Sequence, residues 1–98
     1  MMNLIRFRSP EAQLRFMEEM STQVRPMLDE VGAEIVYSGD AGPEFNIDEQ
    51  WDRLILVRYP SYERFYSLVT NETWVEVGGT IRDAHIADSR LLLTTPTS

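Results

Sequence analysis

Trp51-Asp52-Arg53-Leu54-Ile55-Leu56-Val57-Arg58-Tyr59-Pro60-Ser61 is the stretch on which the fold turns. Trp51 opens it, and Leu54 to Val57 are apolar on both faces of an extended chain. Such a run suits a central strand covered on both sides. Tyr59-Pro60-Ser61 ends the strand. Ser61 then caps a helix carrying Phe65, Leu68 and Val69.

Working upstream, residues 2–8 form a short strand candidate, with Leu4, Ile5 and Phe7 supplying β propensity. Ser9-Pro10-Glu11 reads as a helix start: serine caps, proline fits the first helical position, and the acid favours the positive end of the dipole. Phe16, Met17, Met20, Val24, Met27, Leu28 and Val31 follow at spacings of three and four, which gives that helix one buried face. Pro26 lies inside the pattern. It lacks an N–H and clashes with the carbonyl of Thr22, so a kink is expected there rather than a stop. Gly32 ends the helix, and a second strand is expected over Ala33–Ser38. Gly39 to Gln50 reads as the loop between two hairpin strands.

Downstream, Asn71 caps a further turn holding Trp74, Val75 and Val77, and Gly78-Gly79 is expected to break or bend it. A short helical stretch from about Ile81 to Ala87 then leads to a last strand over Arg90–Thr95, closed by Pro96.

The order is β-α-β-β-α-β, a single α+β domain over residues 1–98 with a four-stranded antiparallel sheet of the ferredoxin-like kind. Strands one and three are expected in the centre, and from the helical crossovers we expect those two to run parallel. The face of the sheet away from the helices cannot stay bare if it is apolar. Leu54/Leu56 or Ile55/Val57 must lie on it, with Leu91/Leu93 or Leu92. A second copy of the chain is the simplest cover, so a homodimer is expected.

Composition narrows the functional classes. Sixteen acidic residues against nine basic ones leave a net charge of −7. Every basic residue is arginine. Clustered cations, which drive nucleic-acid affinity, are not visible on any strand, so nucleic-acid binding is not expected. The chain has no cysteine, so neither disulfides nor thiolate metal sites support its core. The first residues lack a secretory h-region, and the longest apolar run, Leu54–Val57, is far short of a membrane span. A cytoplasmic protein is expected. Asn71-Glu72-Thr73 matches a glycosylation sequon and reads better as a helix start. Asp40, Glu44, Asp48 and Glu49 lie in the polar loop without the spacing of a calcium site.

Chemistry-bearing residues are few. His85 is the default general base, since its unperturbed pKa alone lies near neutrality, and Asp83 or Asp88 could orient it. One histidine makes neither a zinc site nor a haem pocket, so no metal and no cofactor are expected. Arg6, Arg58 and Arg90 lie in strand candidates, where a guanidinium facing inward could hold a substrate carboxylate in two parallel bonds. The competing reading is an ion pair with one of the many acids. Trp51 and Tyr37 are candidates for the mouth of a pocket between sheet and helices. Trp51 could equally lock the start of its strand, and Trp74 pack at an interface. Asp52 could cap or pair with Arg53.

The segment Trp51–Ser61 resembles the "WD…LVRYPS" segment of the domain-of-unknown-function 1330 family. The likeness extends through Arg82 and Ala87-Asp88-Ser89-Arg90-Leu91 to Thr94-Thr95-Pro96. Upstream, Pro26-Met27-Leu28 and Val31-Gly32-Ala33 resemble the family's helix exit. The resemblance implies a dimeric α/β barrel, a superfamily that includes cofactor-free monooxygenases, isomerases, cyclases, haem-binding enzymes and members without known activity. The chain departs from the family pattern at Ile81, where histidine is frequent, and at Phe16 and Met20, in a region usually carrying tyrosines. The functional expectation is a small dimeric protein that binds an apolar or aromatic carboxylate in a sheet–helix pocket through Arg58, Arg6, Trp51 and Tyr37. The alternatives are a cofactor-independent isomerase or monooxygenase using His85 or a strand arginine, and a dimer with no ligand.

Overall fold

A computed structural model describes residues 1–42 and 50–93. The elements are β1 (Met2–Phe7), α1 (Pro10–Glu19), a π-helical turn (Met20–Val24), α2 (Arg25–Glu30), β2 (Glu34–Asp40), β3 (Arg53–Arg58), α3 (Tyr62–Val69), α4 (Glu72–His85) and β4 (Ile86–Leu92). The strands lie in the order β2-β3-β1-β4, which is the expected α+β arrangement with β1 and β3 in the centre. These two are antiparallel, with Asn3 opposite Ile55 and Leu4 opposite Leu54, and not parallel as anticipated. The helical crossover carries the chain back to run β2 in the direction of β1, and the hairpin then reverses it into β3.

Polar caps start the helices where the sequence places them. The Ser9 hydroxyl accepts from the Ala12 N–H at 3.0 Å and the Ser61 hydroxyl from the Arg64 N–H at 3.2 Å. The Asn71 side-chain oxygen accepts from Thr73 and Trp74 at 2.9 and 3.2 Å. Each such cap stabilises its helix by about 1 kcal/mol.

Pro26 acts through the turn before it. The Arg25 N–H reaches back five residues to the Met20 carbonyl, so the helix is wound more loosely in the turn whose Thr22 carbonyl Pro26 cannot satisfy. The expected kink is therefore a π turn, a common site for a helix to deflect. At its end Gly32 adopts φ +76°. Its N–H bonds to the Asp29 carbonyl at 3.0 Å, and the Ala33 N–H bonds to the Leu28 carbonyl at 2.9 Å. This is the paired pattern of a Schellman cap, which favours glycine.

Three boundaries differ from expectation. β2 runs Glu34–Asp40 rather than Ala33–Ser38, because its outer residues pair with Leu54 and Arg53 of β3. Gly78-Gly79 neither breaks nor bends α4, which continues unbroken from Glu72 to His85. Each glycine costs a helix interior about 1 kcal/mol relative to alanine, and the capped start and the packing of Trp74, Val77 and Ile81 against the core offset that. The stretch placed at Ile81–Ala87 is thus the end of α4. β4 follows at once and spans Ile86–Leu92, so it starts four residues before the expected Arg90, paired with β1 from Phe7 opposite Ile86 to Met2 opposite Leu92. Thr94, Thr95 and Pro96 of the expected strand end lie outside the described residues.

The core lies between the sheet and the helices. Ile5, Phe7, Ile55 and Val57 face Phe16, Leu28, Leu68 and Ile81. The rings of Phe7 and Phe16 meet at 5.0 Å and 58°, a tilted contact that aromatic quadrupoles favour. Strand alternation then sends Met2, Leu4, Leu54, Leu56 and Leu92 to the opposite face. Cross-strand register confirms the row: Tyr37, Leu56, Met2 and Leu92 stand side by side across all four strands. Leu4 and Trp51 are buried, yet stand outside the main core cluster. With a Cα thickness of only 17 Å, the molecule is two layers deep.

Candidate functional site

A cavity of about 550 Å³ opens between the helix-side face of the sheet and helices α2 to α4. Its floor is Asn3, Ile5, Ile55 and Val57, with Ser89 and Leu91 from the edge strand. The π turn and α2 contribute Met20, Val24, Met27 and Leu28, and α3 contributes Phe65 and Val69. α4 supplies the opposite wall with Trp74, Val75, Gly78, Gly79, Ile81 and Arg82. This volume falls within the range of ordinary small-molecule sites.

The polar groups in this apolar shell are mainly donors. Arg82 has no carboxylate partner among the described residues, and neither the Trp74 indole N–H nor the Tyr59 hydroxyl has a protein hydrogen-bond partner there. Burial pushes the Tyr59 phenol above its ordinary value of 10.0, so it stays protonated and able to donate. Among the described residues no Asp or Glu lines the cavity, although the chain carries sixteen acids. A cavity of this kind suits a ligand with an apolar body and an acceptor-rich, anionic end.

Of the residues singled out from sequence, Arg90 borders the cavity and His85, Arg6, Arg58, Trp51 and Tyr37 do not. His85 is buried at 7% exposure, at the end of α4. Its Nε2 lies 2.9 Å from Glu19 Oε2, so the orienting carboxylate is Glu19 and neither Asp83 nor Asp88. Its carbonyl accepts from the Arg8 N–H at 2.9 Å. The pair therefore ties the end of α4 to the end of α1 and to the chain leaving β1, and the imidazole does not line the cavity.

Arg6 pairs with Asp88 at 3.3 Å, and Arg58 pairs with Glu34. Both pairs are exposed, as in the competing ion-pair reading. The Arg90 guanidinium stands 5.8 Å from the Trp51 ring centroid. By strand parity Arg6, Arg58 and Tyr37 project to the open face of the sheet, away from the cavity, whereas Arg90, in the edge strand, borders the cavity. Tyr37 is half exposed there, its ring lying over Gly39, where a Cβ would stand 2.5 Å from the hydroxyl. Asp52 pairs with neither a helix end nor Arg53: its Oδ2 accepts from the Phe7 N–H at 2.8 Å, extending the end of β1. Arg53 bonds instead to Ser38 and Asp40. Of the acidic loop, Asp40 ends β2, while Glu44, Asp48 and Glu49 fall outside the described residues.

Arg82, Trp74 and the two glycines thus form a site that sequence reading passed over. One signal was available: Trp74, Gly78 and Arg82 recur every four residues, a single helix face. It is legible only once α4 is known to be continuous.

Comparison with known proteins agrees on fold and stops there. No family model matches the chain, and no curated protein does, so the likeness to the domain-of-unknown-function 1330 family rests on the residues quoted above. Among solved structures, the RPA0582 protein of unknown function from Rhodopseudomonas palustris is 26% identical, with a TM-score of 0.70 over 99% of this chain and 80% of that one. The methylated form of RPA0582 superposes with a TM-score of 0.74 at 24% identity, over 99% of this chain and 78% of that one. A protein from Bacteroides fragilis, described as dimeric, of unknown function and of ferredoxin-like fold, is 14% identical with a TM-score of 0.60, over 91% of this chain and 86% of that one. No helix among the described residues is long and apolar enough to cross a membrane. The chain has a ferredoxin-like fold, the fold for which the Bacteroides fragilis protein is described.

Proposed function

We propose that this protein binds a small apolar or aromatic carboxylate in the sheet–helix cavity, and does so as a homodimer paired through the open face of the sheet. The observation that carries the first part is the lining itself: apolar walls, a guanidinium at Arg82 that pairs with no described carboxylate, and no acid among the described lining residues of a strongly acidic chain. A net charge of −7 repels anions at long range, but salt screens that field within about 8 Å at physiological ionic strength. Inside the cavity the local arginine decides.

The anchor in this reading is Arg82 in place of Arg6 or Arg58, whose guanidinia are paired on the other face. Arg6, Arg58, Trp51 and Tyr37 lie on or beside the surface that a second copy would cover. The Bacteroides fragilis protein, which shares the fold, is described as dimeric, in keeping with that arrangement. A cysteine-free composition is in keeping with a cytoplasmic protein. Binding needs no general base. An isomerase or oxygenase using His85 would need the imidazole to leave Glu19 and enter a cavity it does not line.

Isothermal titration with benzoate tests the reading. One saturable site per chain with a Kd of about 10 µM to 1 mM is expected, in the range for a ligand of this size. Absence of saturable binding by benzoate and by a short fatty acid such as hexanoate would sink it.

A further inference from the structure

Gly78 and Gly79 occupy helix interior without any local reason to be glycine. Neither has the positive φ that excludes side chains, a conformation adopted only by Gly32 among the described glycines. Neither is held against a neighbouring element, since a Cβ built at either position meets nothing within 4 Å. Both line the cavity. The helix therefore bears the instability of two interior glycines while gaining no packing from them, and what they leave open is space in the cavity.

The flanking residues define that space. Trp74, Gly78 and Arg82 share one face of α4, spaced by four residues, so Trp74 and Arg82 stand about 12 Å apart along the helix axis. Gly78 lies midway, about 6 Å from each. A single aromatic ring with a carboxylate is about as long as the step from Gly78 to Arg82. Resting on the proposed carboxylate binding, we infer that the ligand is a monocyclic aromatic carboxylate whose ring lies on the bare α4 backbone at Gly78-Gly79. Its carboxylate meets the Arg82 fork, and its far edge meets Trp74. Gly78 and Gly79 are then the residues that set ligand size: an alanine at Gly78 intrudes on the ring, and a leucine fills its place.

The test is titration of the full chain with benzoate, alongside thermal melting, for the unmodified protein, Gly78→Ala, Gly78→Leu and Arg82→Gln. Melting at or above the unmodified temperature is expected for Gly78→Ala. Its benzoate affinity should fall several-fold, and that of Gly78→Leu at least about tenfold, the scale of an overpacked site. If Gly78→Leu binds benzoate within twofold of the unmodified protein while Arg82→Gln loses it, carboxylate binding stands and the ring is placed elsewhere. If the unmodified protein does not bind benzoate, the monocyclic aromatic assignment fails outright; retained binding of hexanoate would still leave the broader carboxylate reading in place. Should Gly78→Leu fail to fold, Gly78→Ala decides alone: unchanged affinity overturns the inference.

Discussion

Arg82 and Tyr59 are among the polar groups that line the cavity, and each can be separated from the scaffold by one substitution. Arg82 is exposed and bonds to no described side chain, so Arg82→Gln should leave the melting temperature nearly unchanged. A hydrogen bond to a charged group contributes about 1.5–3 kcal/mol, so benzoate affinity should fall about 10- to 100-fold by titration calorimetry. Tyr59 predicts a pH effect with a definite sign. Burial raises its pKa above 10.0, so the folded protein keeps a phenol proton that the unfolded chain has released. That contribution to stability is complete below pH 10 and is lost as pH climbs through the raised value. Tyr59→Phe should therefore flatten the decline in denaturation midpoint above pH 10, and an unchanged alkaline profile would refute the assignment. Neither residue could be picked out from sequence. Tyr59 reads as the end of a strand, and Arg82 is one of nine arginines until α4 is traced in three dimensions. His85 was visible as the lone histidine, but its partner Glu19 lies sixty-six residues away, a contact that no local spacing encodes.

Elements are legible where a local rule dictates them and illegible where tertiary packing overrides it. Ser9, Ser61 and Asn71 cap the helices that their positions announce, and Gly32 closes α2 in the left-handed conformation. Those signals act within a turn of chain. The Gly78-Gly79 reading failed because propensity is weak against a buried helix face: Val77 and Ile81 pack on the core to either side. β4 was placed four residues late because Ala87-Asp88-Ser89-Arg90 is polar, as an edge strand can be, and only pairing with β1 reveals it. The glycines provide a contrast at this scale. Gly32 has φ +76°, and a Cβ there would stand 3.1 Å from the Pro60 side chain. Left-handed backbone costs a non-glycine residue about 1–2 kcal/mol. Gly32→Ala should therefore destabilise the protein by at least about 1 kcal/mol in urea unfolding, whereas Gly78→Ala should stabilise it by about 0.5–1 kcal/mol. Effects of the same sign at both positions would contradict the conformations described here.

At the scale of the whole molecule, the two faces of the sheet answer different needs. The helix-side face closes a core and leaves a cavity, while the opposite face presents Met2, Leu54, Leu56 and Leu92 with no helix among the described residues to cover them. Leu54 and Leu56 are half-buried and Leu92 is 39% exposed, so part of their apolar surface remains in contact with water. At about 25 cal/mol per Å², burying even a few hundred Å² of such surface is worth several kcal/mol before the entropy of association is subtracted. A chain without disulfides has few other means of gaining that burial. Pairing face to face sets Leu56, in the central strand β3, near the middle of the contact, where truncation or charge costs most. Leu56→Asp would place a carboxylate there on each copy, adding desolvation and like-charge repulsion to the lost packing. Sedimentation velocity should give twice the chain mass for the unmodified protein and a monomer for Leu56→Asp. Arg82→Gln, on the far side of the sheet, should remain a dimer. A monomeric unmodified protein at micromolar concentration would refute the pairing and leave the cavity untouched, because its lining comes from one chain alone.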